Sequence, residues 1–61
     1  MTDNIAVMEG FTQEVVAEVG GYVLHLLVKP NTFFDDAFKA WDMDAQEFVR
    51  INGWLCTIED A

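Results

Sequence analysis

Sixty-one residues make one small domain, and eleven Asp and Glu against three Lys and Arg give it a net charge of −8. That sign argues against direct nucleic-acid binding, which rests on neutralising phosphates, and against docking on anionic membrane surfaces. One cysteine, Cys56, and one histidine, His25, supply neither an intrachain disulfide nor a zinc site. A chain this short buries only roughly 60% of the surface its unfolded form exposes, so its 52% apolar content must serve a dense core, self-association or both.

In chain order, residues 1–10 lack the basic start and long apolar stretch of a secretion signal. They read as a loosely ordered lead-in to a single α+β domain over 11–61. The longest uncharged apolar run, Val19 to Val28, is too short to cross a bilayer. An unpaired cysteine fits a reducing compartment, so the expected location is the cytoplasm.

Two strands come next. From Phe11 to Val19, alternation places Phe11, Val15, Ala17 and Val19 on one face. Gly20-Gly21 is a two-residue hairpin signal, because glycine accepts the positive φ of a type I′ turn. The turn sets Val19 opposite Tyr22, Ala17 opposite Leu24 and Val15 opposite Leu26 on the core face. The outer face then pairs Glu18 with Val23, Val16 with His25, Glu14 with Leu27 and Thr12 with Lys29.

Pro30 ends the second strand. Thr32-x-x-Asp35 resembles a capping box, and Phe34, Ala37, Phe38, Trp41, Ala45, Phe48 and Val49 recur at steps of three and four. That spacing predicts one amphipathic helix over about 33–51, stopped by Asn52-Gly53 and followed by a short strand from Trp54 to Ile58. The predicted fold is ββαβ: a three-stranded antiparallel sheet, made of the hairpin plus the C-terminal strand laid beside the first, with one helix packed on one face.

Catalytic chemistry finds no constellation here. His25 has Val16, Val23 and Leu27 as its face neighbours and no nucleophile placed with it. Cys56 has no nearby cation in sequence to activate it, and reads as a small buried apolar residue. On a helix, Asp42 and Asp44 point about 200° apart and cannot share a metal ion. Neither an enzyme nor a cofactor is expected. The carboxylates of the predicted helix, Asp35, Asp36, Asp42, Asp44 and Glu47, form a candidate acidic face, too sparse for a simple DNA mimic because B-DNA carries one charge per ~1.7 Å.

Two families are similar in part. Val28-Lys29-Pro30, then Phe34, Ala37, Phe38, Trp41, Met43, Phe48 and Asn52, fall at the spacing of a LysM domain. The resemblance covers about 23 residues, and Asn31-Thr32 and Asp42 depart from the family's turn and its interhelix glycine. It implies a helix broken near 42–44 and a glycan-binding module. In size, acidity and element order, with Thr32-x-x-Asp35-x-Ala37 and Gly53-Trp54, the chain also resembles the small acidic proteins with which bacteriophages disable host enzymes. That likeness implies a phage- or mobile-element-encoded protein, inhibitor-like or antitoxin-like, working in the host cytoplasm.

The function expected from the residues is non-catalytic binding and modulation of another protein with a basic surface. The outer hairpin face, with Glu14, Val16, Glu18, Val23, His25 and Leu27, is the candidate interface, since a single helix leaves it uncovered. Self-association there, as a homodimer, is the first expectation. The alternative is that residues 1–10 fold back over the face with Ile5, Val7 and Met8.

Overall fold

The computed structural model describes residues 3–61. Helix α1 (Asp3–Met8) leads into β1 (Gln13–Val19), β2 (Tyr22–Val28), β3 (Ala37–Asp42) and β4 (Glu47–Asn52), then a single 3-10 turn (Gly53–Leu55) and β5 (Thr57–Asp60). All five strands belong to one antiparallel sheet in the order β4-β3-β2-β1-β5.

The first hairpin has the register implied by its turn, from Val19 opposite Tyr22 to Glu14 opposite Leu27, with Gln13–Val28 as the last pair. Gly20 and Gly21 both adopt positive φ, 56° and 84°, as a type I′ turn requires. After β2, Pro30 and Asn31 make a turn in which Asn31 takes φ 71°. The Thr32 hydroxyl donates to the Lys29 carbonyl at 2.6 Å and closes that turn rather than capping a helix.

The ββαβ expectation fails at residues 33–51, which contain β3, a turn and β4 instead of a helix. The same finding removes the LysM-like alternative with a helix broken near 42–44. The physical reason is burial on both sides. Phe38 and Ala40 enter one core cluster while Trp41 enters another on the opposite face, so β3 shows apolar residues at adjacent as well as alternate positions. Sampled at steps of three and four, such a strand imitates a helical stripe. The aromatic and β-branched residues of Ala37–Trp41 and Phe48–Ile51 favour strand. The break lies at Asp42, whose carboxylate accepts the N–H groups of Asp44 at 2.9 Å and Ala45 at 3.0 Å. Gln46 then turns the chain back with φ 60°.

The main core lies inside the sheet's own curvature. Val15, Ala17, Leu26, Val28, Phe38 and Ala40 are buried together, with Val49 and Ile51 from one edge strand and Ile58 from the other packed against them. A flat five-stranded sheet would hold its edges about 19 Å apart at ~4.8 Å per strand. Here one 3-10 turn links β4 to β5, and at about 2 Å rise per residue it cannot span that gap. The sheet therefore curls into a partly open barrel. Gly53 starts the link and donates its N–H to the Asp36 carbonyl at 3.2 Å.

Residues 3–10, expected as a loose lead-in, form α1 and a turn. Ala6 and Phe11 are buried against Leu27 and Trp41 on the outer face, with Met43 and Phe48 packed alongside. No helix among the described residues is long and apolar enough to cross a membrane.

Candidate functional site

The outer faces of β2, β1 and β5 lie side by side. Their registers set three rows across the strands: Val23, Glu18 and Thr57; His25, Val16 and Glu59; Leu27, Glu14 and the chain end, where the Ala61 N–H donates to the Glu14 carbonyl at 3.2 Å. Each row follows from strand alternation, because opposed residues in antiparallel strands share a face.

Of the candidate interface residues, five stay together on open surface. Val23 is 52% exposed, Glu14, Glu18 and His25 are exposed, and Val16 is half-buried. Leu27 leaves the set, since Phe11 and Ala6 bury it. The fold-back alternative is thus met in part, but by Ala6 and Phe11 and not by Ile5, Val7 and Met8, all of which remain exposed. Val16, Glu18, Val23, Thr57 and Glu59 line a shallow groove across the three strands. Its apolar lining is valine and its ionisable lining is glutamate.

Thr57 and Glu59 were not singled out from the sequence. The signal was present: a last strand antiparallel to the first must bring alternate residues of one strand onto this face. Only the register was missing, because the 3-10 turn shifts the strand from the expected 54–58 to Thr57–Asp60.

The candidate acidic helix face does not exist as a face. Asp35 and Asp36 precede β3, whereas Asp42, Asp44 and Glu47 surround the β3–β4 turn. The two groups stand at opposite ends of a six-residue strand, about 20 Å apart at ~3.3 Å per residue. Among the described residues, no group of three or more His, Cys, Asp or Glu is placed to hold a metal ion. Cys56, expected as buried, is half-buried with its thiol near the Asn52 and Gly53 carbonyls at 3.5 and 3.7 Å.

The scarce positive charge is concentrated elsewhere. Lys39 opposes Arg50 across β3 and β4, with its Nζ 4.4 Å from the Phe48 ring centroid. Lys29 and Lys39 both reach the Phe11 ring, at 5.3 and 5.8 Å. These cations therefore gather around the aromatic residues that α1 helps to cover, and none lies in the groove.

No family model, curated protein or solved structure matches the chain.

Proposed function

We propose that this chain is a small, acidic, non-catalytic protein that binds and modulates another protein by taking one of its basic segments into the groove over β2, β1 and β5. The observation that carries this reading is the placing of two valines, Val16 and Val23, in one groove with Glu18 and Glu59 and with Glu14 on the same face of β1. A lysine or arginine side chain suits such a surface. Its aliphatic stem lies on valine while its charged head meets carboxylate. Net charge of −8 steers a basic partner toward the molecule and repels nucleic acid. Size and acidity further support an inhibitor-like or antitoxin-like role of the kind encoded by phages and mobile elements.

The test is an NMR titration with a short Lys- and Arg-rich peptide and with an acidic peptide of equal length. The expected result is amide shift changes at Val16, Val23, Thr57 and Glu59 with the basic peptide only, weakening as salt is added. Combined Val23→Lys and Glu59→Lys substitution is expected to abolish them. Equal responses to both peptides, or changes confined to other surfaces, overturn the proposal.

A further inference from the structure

An antiparallel sheet that does not close leaves two edges, here β4 and β5. Edge strands offer unpaired backbone groups to any second strand, and proteins protect them with charge, proline, shortness or cover. Strand β5 is four residues long and carries Glu59 and Asp60, so a second copy approaching it meets like charge. Strand β4 is six residues long, reads Glu-Phe-Val-Arg-Ile-Asn and has no proline. Arg50, one of the chain's three cations, lies within β4 itself, and it lines a shallow hollow with Phe48, Val49 and Lys39 of the neighbouring β3. In a molecule of charge −8, this is the edge at which two copies repel least.

We propose that two copies of the chain pair antiparallel through their β4 edges, forming a symmetric dimer with a continuous ten-stranded sheet. The register follows from parity. A two-fold axis through the sheet keeps the inner face of both copies on one side, so each residue must oppose one of its own face. Phe48 and Arg50 lie on the outer face and Val49 on the inner, as fixed by Phe48 opposite Trp41, Val49 opposite Ala40 and Arg50 opposite Lys39. Centring the axis on Val49 sets valine against valine. It also sets each Arg50 against Phe48 of the second copy, a cation over an aromatic ring. Sliding by two residues in one direction sets Arg50 against Arg50, which charge disfavours. The centred register is self-complementary and closed, as a two-fold interface must be. It leaves the groove over β2, β1 and β5 free on both copies, and it holds whether or not that groove binds a basic segment.

Sedimentation equilibrium from micromolar to millimolar concentration tests the dimer. The wild-type chain is expected to move from its monomer mass to twice that mass. Arg50→Glu, which removes the cation facing Phe48, is expected to remain monomeric with the circular dichroism of the wild type. Arg50→Lys is expected to dimerise. Because Arg50 is exposed, the Arg50→Gln variant provides a second folded comparison, expected to dimerise more weakly. In a mixture of isotope-labelled and unlabelled chains, intermolecular contacts from Phe48 to Arg50 are expected. A wild-type chain that is monomeric throughout overturns the proposal, and so does dimerisation unaffected by Arg50→Glu, or intermolecular contacts confined to another surface.

Discussion

At Gly53, a single missing methyl group decides whether the link from β4 to β5 can pass against the backbone that precedes β3. A Cβ built there would lie 1.5 Å from the Phe34 carbonyl oxygen, 2.6 Å from its carbon and 2.9 Å from the Asp36 oxygen. All are backbone atoms, so no side chain can swing aside. Gly53→Ala is expected to destabilise the fold by about 3 kcal/mol or more, beyond ordinary overpacking. Gly20→Ala meets nothing within 4 Å and bears only the strain of φ 56°, so its expected cost is about 1 kcal/mol. Urea unfolding of both variants measures the difference, and equal costs would contradict the close backbone approach at Gly53. The two tryptophans supply a spectroscopic handle. Trp41 is 4% exposed and Trp54 61%, and the Trp41 indole donates to Asp3 Oδ1 at 2.9 Å. The same oxygen accepts the Gln46 side-chain amide at 2.9 Å. Asp3→Ala is expected to cost about 1–2 kcal/mol through these lost acceptors and to make Trp41 newly accessible to acrylamide quenching. Unchanged quenching would mean that α1 does not depend on this contact.

Among the elements, the first hairpin was readable and the second was not, for reasons that lie in their turns. Gly20-Gly21 announces a two-residue connection, and the connection sets every pair from Val19–Tyr22 to Glu14–Leu27. The β3–β4 turn uses no glycine. It relies on one Asp42 carboxylate bonding two successive N–H groups and on Gln46 adopting φ 60°, a device hidden among residues that also suit a helix. Asp42→Ala is therefore expected to lower stability by about 1–2 kcal/mol, while Asp42→Asn, which keeps an acceptor, loses less. Thermal melts of the two variants test the ranking. The groove was half legible for a related reason. Glu14, Val16, Glu18, Val23 and His25 follow from the hairpin register, whereas Thr57 and Glu59 needed the register of β5. Leu27 was misassigned because the packing of Ala6 and Phe11 over it depends on α1, a six-residue helix too short to announce itself in sequence.

For the whole molecule, charge is the dominant variable. Folding confines eleven carboxylates and three cations within extents of 29 × 22 × 18 Å. At about 10 mM salt the screening length is ~30 Å, so every carboxylate senses every other, whereas at 0.15 M it is ~8 Å. Raising salt across that range is expected to raise the melting temperature by a few degrees, because screening relieves self-repulsion in the compact state. A melting temperature that falls with salt would mean that attractive pairs outweigh the net charge. The same screening is expected to weaken capture of a basic peptide, so stability and binding should respond to salt in opposite directions.

The groove, the free β4 edge and the distribution of charge all depend on residues 33–52 forming a hairpin and on β5 lying beside β1. Nuclear Overhauser contacts in solution measure both directly. The expected pattern is cross-strand contact between Trp41 and Phe48, between Lys39 and Arg50, and between Val16 and Glu59. Contacts at steps of three and four through residues 33–51, with none between Val16 and Glu59, would establish a helix there and contradict the curled sheet on which the binding surface is built.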